Sequence, residues 1–300
     1  MPRPTALEPL YVPIDARDAA VAVLDALARV RLVSLGSLRA YAATEGLDPT
    51  FLDTWIAAKL IVKTVIVTDA VRATSLEIVA LTPAGARALS EITTRNVQAV
   101  APSRLKRSGQ KLTHDAGVGD VALAFVAAGH AGVAAVMGVE TDTSVLSTSV
   151  VMQGSRGALR VPLQGDAYVL LRGANGPTGL LIEFDRATIA PKKMGAKFAA
   201  YVEWRRTGGP ARAFSIKALR VLTVVPDARR LEKLHGAALD ATGGKRSGFL
   251  IFAEAKDFTA ADPRRLAEPV ARQLGDDTFV SLVGAPAPPG VARQRDLAAA

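Results

Sequence analysis

Apolar positions recur at helical spacing along the first sixty residues. Val21, Leu24, Leu27 and Val30 share one helix face, with Asp15 ahead of them as a candidate N-cap. A second helix is predicted from Leu35 to Thr44, stopping at Gly46. A third follows Asp48-Pro49, where proline suits a first helical turn, and carries Phe51, Leu52, Trp55, Ile56 and Leu60. Phe51 and Trp55, one turn apart, read as core. At Ile61 the periodicity changes from helical to alternating. Ile61–Val67 and Leu76–Leu81 read as two strands joined by a polar loop, and Thr82-Pro83 opens a closing helix through Leu89.

Beyond this, 92–113 reads as a linker containing Pro102, Ser103, Ser108 and Gly109. Asp115–Ala128 reads as an amphipathic helix and Val133–Glu140 as a buried strand. Further strands are expected near 159–163, 166–172 and 179–186, the last two joined by a turn through Gly173 and Gly176. A helix over 192–206 starts behind Pro191, an apolar strand spans Val221–Val225, a helix runs through Leu239, and a strand covers Gly248–Ala253. The proline-rich tail 284–300 is expected to be disordered. The order predicts an α/β (α+β) chain. Three helices, a β-wing and a closing helix in 1–91 predict a winged helix-turn-helix, and Leu81-Thr82-Pro83-Ala84-Gly85 resembles the ending of many bacterial winged-helix regulators.

Composition narrows the chemistry. With no cysteine, disulfides, zinc fingers, iron–sulfur clusters and thiol catalysis are excluded. His114, His130 and His235 are too scattered for a histidine-rich metal site. No apolar run is long enough for a bilayer and no signal-peptide core follows Met1, so a cytoplasmic protein without membrane attachment is expected. The net charge of +9 points to a polyanion such as DNA. The charge is uneven: residues 1–91 hold nine Lys/Arg against ten Asp/Glu, whereas Arg95–Lys111 holds five basic residues and no acid. Lys192–Arg220 holds eight basic residues against Glu203 alone. Candidate phosphate contacts are therefore Arg104, Lys106, Arg107 and Lys111 in the linker, and Lys192, Arg205 and Arg206 on the later helix. Solvated basic faces are the commoner meaning of any one such run.

The third helix is a poor reader of base edges, offering Asp48, Asp53 and Lys59 but no Arg, Asn or Gln. Arg39 and Tyr41 on the second helix and Lys63 or Arg72 on the wing remain as backbone contacts. A homodimer or partner-protein role for this domain stands beside DNA binding.

The densest chemistry lies in Asp166 and the run Glu183-Phe184-Asp185-Arg186-Ala187-Thr188. Alternation along Leu180–Arg186 puts Leu181, Glu183 and Asp185 on one strand face, and Asp166 opens the strand before it. Two or three carboxylates meeting at a strand end bind Mg²⁺ or Mn²⁺, which favour oxygen ligands and activate water on a phosphodiester. A strand with one wet face carries the same residues, and spacing alone favours that plainer reading.

At these residues the chain resembles the PD-(D/E)XK nucleases, and more narrowly the replication-relaxation family of plasmids and integrative elements. The resemblance spans roughly residues 15 to 255: a winged helix, a basic stretch, Leu112-Thr113-His114-Asp115, then Asp166, the Glu183–Thr188 run and a lysine-bearing helix ending near Tyr201. It implies a restriction-endonuclease-like mixed sheet flanked by helices over 114–283. It also implies a role in DNA replication or relaxation, with Asp166 and Glu183 as metal ligands. Residue 185, the lysine of that pattern, is Asp185 here, and Gly165 replaces the usual proline. Either a lysine from the next helix, Lys193 or Lys197, supplies the missing cation, or Asp185 is a third metal ligand. Phosphate binding by that helix is the competing reading. If the site is catalytic, the reaction is DNA cleavage or nicking with Mg²⁺ or Mn²⁺; otherwise the domain is a degenerate scaffold in a regulatory or assembly protein. His114-Asp115 reads as a helix cap. The glycines of 129–138 lack a phosphate-loop lysine, and no nucleophile-elbow serine occurs.

Overall fold

The computed structural model describes residues 10–69, 74–141, 146–154, 157–173, 176–276 and 278–283. Arg72 and the tail from Gly284 lie outside them. By contacts the chain divides into two units, one reaching Ala127 with Thr259–Asp262 and one from Ala128 to Phe258 and from Pro263 onward.

The first unit begins with α1 (Arg17–Val30), β1 (Leu32–Ser34), α2 (Leu35–Thr44) and α3 (Phe51–Ala57). It continues with β2 (Ile61–Asp69), β3 (Thr74–Leu81) and α4 (Pro83–Thr93). The helices buried their apolar stripes as the spacing demands, Val23, Leu24, Leu27, Trp55 and Leu52 being inaccessible. Trp55 also donates its indole N–H to the Leu10 carbonyl at 2.7 Å. Thr82 caps α4 by accepting from the Gly85 N–H, with Pro83 in the first turn. Asp15, in contrast, sits in a short 3-10 turn and makes no cap bond to α1, whose N-cap is Ala16. The sheet order is β1-β3-β2, all antiparallel. β1, three residues long, is too short for a period to announce it.

Residues 92–113 are not a free linker. They contain α5 (Pro102–Leu105) and the start of α6 (Gly109–His130). Val100 and Leu112 bury themselves with Leu32, Ile66, Ile78, Ala80 and Ala116, so the segment completes the core of the first unit. Gly119 lets α6 approach β1 closely: a Cβ there would stand 1.8 Å from the Leu32 carbonyl oxygen. Asp120 accepts from the Ser34 N–H at 2.9 Å and from the Ser34 hydroxyl at 3.1 Å. By contacts the division between the units falls within α6, after Ala127.

The second unit contains β4 (Val136–Glu140), the hairpin β5 (Leu146–Gly154) and β6 (Gly157–Gly165), then β7 (Ala167–Gly173) and β8 (Gly176–Phe184). α7 (Pro191–Arg206) and α8 (Gly209–Phe214) follow, then β9 (Ala218–Val225), α9 (Ala228–Ala241), β10 (Ser247–Glu254), β11 (Ala271–Leu274) and β12 (Phe279–Val280). The mixed sheet runs β12-β11-β10-β9-β8-β7-β4, with β8, β9 and β10 parallel and the rest antiparallel. Parallel neighbours need helical crossovers, which α7 and α9 supply. The two helices pack together, with Gly195 of α7 against the Ala237 carbonyl of α9, where a Cβ would come within 2.7 Å. Their apolar faces meet Leu181, Leu219, Val221, Phe249 and Phe252 of the sheet. Phe198 meets Phe252 edge-on at 5.4 Å. β5 and β6 form a separate two-stranded sheet that joins this core through Val150 and Leu163.

Candidate functional site

The site is built where β8 ends and α7 passes over it. Leu181 packs under α7, and alternation carries Glu183 to the same face. Glu183 is 4% exposed, and both of its carboxylate oxygens face donors of the protein. The Lys197 ammonium donates to Oε2 at 2.6 Å, and the Tyr201 hydroxyl donates to Oε1. Lys197 also donates to the Gln164 carbonyl at 3.0 Å, which lies 3.4 Å from the Tyr201 hydroxyl. Lys197 and Tyr201 are one helical turn apart, so one face of α7 serves both contacts.

Burial dominates the electrostatics of this group. Taken out of water, the Glu183 carboxyl is pushed up to about 7, with the Asp166 charge adding to the push and Lys197 and Tyr201 opposing it. The Tyr201 hydroxyl is raised well above its ordinary value by burial and by Glu183, so it remains a proton donor. Its side chain is fully buried, which removes it as a nucleophile toward a macromolecule.

Asp166 is partly buried and its Oδ2 accepts the Phe184 N–H at 2.9 Å, while its own N–H donates to the Ile182 carbonyl. The carboxylate thus laces the start of β7 to the end of β8. At Gly165 a Cβ would stand 2.4 Å from Leu181 Cδ1, so the proline of the family pattern would require that leucine to shift.

Asp185 has a different partner. Arg230, at the start of α9, grips it in a fork: Nε to Oδ2 at 2.6 Å and Nη2 to Oδ1 at 2.9 Å. Both side chains are buried, at 1% and 8% exposed. Asp185 Oδ2 also accepts the Ala187 N–H, and Arg230 Nη2 donates to the Ile189 carbonyl at 2.6 Å. The pair shapes the 185–190 loop, in which Ala187 takes a left-handed φ of 59°. Asp185, one of the two alternatives for completing the site as a third metal ligand, has both oxygens bonded to this guanidinium, which lies 45 residues away in sequence.

These carboxylates do not fit a divalent cation as they stand. The Glu183 oxygens meet an ammonium and a phenol, and the Asp185 oxygens meet a guanidinium. Among the described residues no group of three or more His, Cys, Asp or Glu side chains is placed to hold a metal ion. Of the two candidate lysines the fold brings only Lys197 to Glu183; Lys193, one turn earlier, is exposed, as is Lys192.

The candidate phosphate contacts divide sharply. Arg39 is bound to Asp53 at 2.9 Å, tying α2 to α3, and Lys63 is bound to Glu77 at 2.7 Å across the β2–β3 hairpin. Tyr41 is fully buried and so unavailable to a ligand. Arg104, Arg107 and Lys111 surround Asp115 at 3.6, 3.1 and 2.9 Å, with His114 Nδ1 at 3.5 Å. Asp115 is therefore a charge centre within α6, not the cap of a helix that begins after the linker. Burial acts to raise its carboxyl, but the bonds from His114 and Lys111 and the charges of Lys111 and Arg104 outweigh it and hold the group far below the usual carboxylate range. Arg206 is paired with Glu203 at 2.7 Å, and Arg205 lies over the Phe249 ring at 4.9 Å. Lys106, Lys192 and Lys193 are exposed, and none of them makes an ion pair among the described residues.

Sequence reasoning missed Arg230, because nothing local marks a partner for Asp185. It also missed Asp120, whose Ser34 partner is the N-cap of α2. No helix among the described residues is long and apolar enough to cross a membrane. Residues 24–217 match the family described as replication-relaxation. No curated protein and no solved structure matches the chain.

Proposed function

The chain belongs to the replication-relaxation family, and on that premise we propose that it binds DNA in plasmid or mobile-element replication and relaxation, its nuclease-like domain serving as a scaffold. The observation that carries this reading is the division of the lysines of α7. Lys192 and Lys193 stand exposed and free of ion pairs in the first turn, while Lys197 is turned inward onto a Glu183 whose two oxygens are both occupied. Exposed lysines act as point charges toward phosphates and release counterions on binding. A Glu183 closed by Lys197 and Tyr201 holds α7 on the sheet and keeps those lysines in place. In this reading the first unit is a winged helix whose own cations are largely satisfied internally, which suits contact with a second copy or a partner protein more than base reading.

The binding half is tested by fluorescence anisotropy on duplex DNA across a salt series. Lys192→Ala/Lys193→Ala should weaken affinity and make the log–log salt slope shallower by about 2, near one unit per lost phosphate contact. Unchanged affinity and slope would place the contacts elsewhere. The scaffold half is tested by incubating supercoiled plasmid with Mg²⁺ or Mn²⁺ and the wild type or Glu183→Ala. Neither should nick DNA while both bind it.

One observation favours a second reading. Lys197 stands 2.6 Å from Glu183, which supports a helix lysine in the role vacant at residue 185. A metal-dependent nuclease using Asp166, Glu183 and Lys197 would nick plasmid in the wild type and lose that activity in Glu183→Ala.

A further inference from the structure

We infer that the Lys197 ammonium is the resident cation of this site, occupying an oxygen cradle of the kind that would otherwise take a divalent metal ion. The inference rests on the scaffold reading above and deepens it. The atoms around the ammonium are Glu183 Oε2 at 2.6 Å and the Gln164 carbonyl oxygen at 3.0 Å, with the Asp166 carboxylate close enough to act on the Glu183 charge. A carboxylate and a backbone carbonyl are oxygen donors of the kind that hard cations choose. An ammonium offers three N–H donors and one charge to the same oxygens. Adding a divalent ion would put like charges in contact beside a buried carboxylate, and expelling Lys197, whose side chain is 25% exposed, would leave its ammonium without these partners.

The cradle is shaped for the lysine. Tyr201, one turn further along α7, closes Glu183 Oε1, and the ammonium itself stands 5.8 Å from the centre of the Tyr201 ring. Residues of the β6 end, the β8 end and α7 thus converge on one positive charge. Removing the charge while keeping the side-chain volume should open the site to a metal.

The test measures Mn²⁺ binding to the full chain by titration calorimetry and by electron paramagnetic resonance of free Mn²⁺. Wild type should show no Glu183-dependent site at millimolar Mn²⁺. Lys197→Met and Lys197→Ala should each gain one site, tighter than wild type by on the order of ten-fold or more. Lys197→Met/Glu183→Gln should lose that gain. Folded Lys197 variants, by circular dichroism, with wild-type Mn²⁺ affinity would overturn the inference while leaving the scaffold reading intact. A wild-type Mn²⁺ site abolished by Glu183→Gln would also overturn it. Plasmid nicking by the wild type would instead remove the scaffold reading itself. Amine acetylation of the wild type, read by mass spectrometry, keeps the question open to test if the variants do not fold. Lys192 and Lys193 should react readily and Lys197 slowly, and Mn²⁺ should not change this; labelling of Lys197 as fast as its neighbours, or its release by Mn²⁺, would sink the proposal.

Discussion

Asp115 in the first unit and Glu183 in the second are both buried carboxylates facing basic side chains, yet their acidities move in opposite directions. Asp115 has three cations and a histidine around it, and the side chains of Arg107 and Lys111 remain 38% and 37% exposed. Cations that keep much of their hydration lend their charge at little desolvation cost of their own. Glu183 has Lys197, a phenol and a nearby second acid, and burial prevails. Asp120, on the same helix as Asp115, completes the contrast: burial raises it to about 6, opposed by hydrogen bonds from Ser34 and Ser37. Position inside the protein does not decide the state of an acid. The number of nearby cations and their access to water do.

The sharpest way to break this comparison is at Asp185, one acid with one buried cation. Arg230→Ala strands a buried carboxylate and should cost about 3–5 kcal/mol in urea unfolding, whereas the paired change Asp185→Leu/Arg230→Met should recover most of it. Full loss in the pair as well would show that the fork is needed for the 185–190 loop rather than for its own charges.

The next effect is pH dependence. Because the Glu183 carboxyl is raised from 4.5 to about 7, its contribution to stability is complete below about 4.5 and is lost as pH rises through about 7. Asp120, raised from 3.8 to about 6, behaves likewise in a lower window. Asp115 runs the other way: its contribution is present above 3.8 and lost as pH falls well below that value. Denaturation midpoints should therefore fall between pH 5 and 8, by on the order of 2–3 kcal/mol for Glu183. Glu183→Gln should flatten the upper part of that slope and Asp120→Asn the lower part. A slope that survives both would assign the titration to other groups.

Asp115→Asn should cost about 1–2 kcal/mol, since Arg104, Arg107 and Lys111 are left to repel one another, and the loss should grow at low salt. Smallest is Arg39→Ala, which removes an ion pair whose side chains are 42% and 57% exposed. A change below about 1 kcal/mol is expected, and a larger one would mean that Arg39 organises α2 against α3.

The legible parts were those whose information is local. Alternation placed Leu181 and Glu183 on one face, and the one-turn spacing of Lys197 and Tyr201 put them together on α7. Period and breakers placed α2 at Leu35–Thr44 and α7 from Pro191. Lys193 has the same helical phase as Lys197, but only the level of β8 beneath α7 selects one over the other. The segment 92–113 misled because its prolines, serines and charges carry a linker's composition, while Val100 and Leu112 anchor it. β5 was missed because Ser147, Thr148 and Ser149 hide its apolar Val150 and Val151.

By itself the sequence determined the order of the longer elements, the uneven distribution of charge, the acidic strand face and the family whose pattern it follows, all of which rest on periodicity and on residues close along the chain. Only the tertiary structure decided what each charge does. Asp185 meets Arg230, Asp115 gathers Arg104 and Arg107, and Lys197 rather than Lys193 closes Glu183. The reason is physical: electrostatic energy depends on distance and on the exclusion of water, and both are set by which elements pack together.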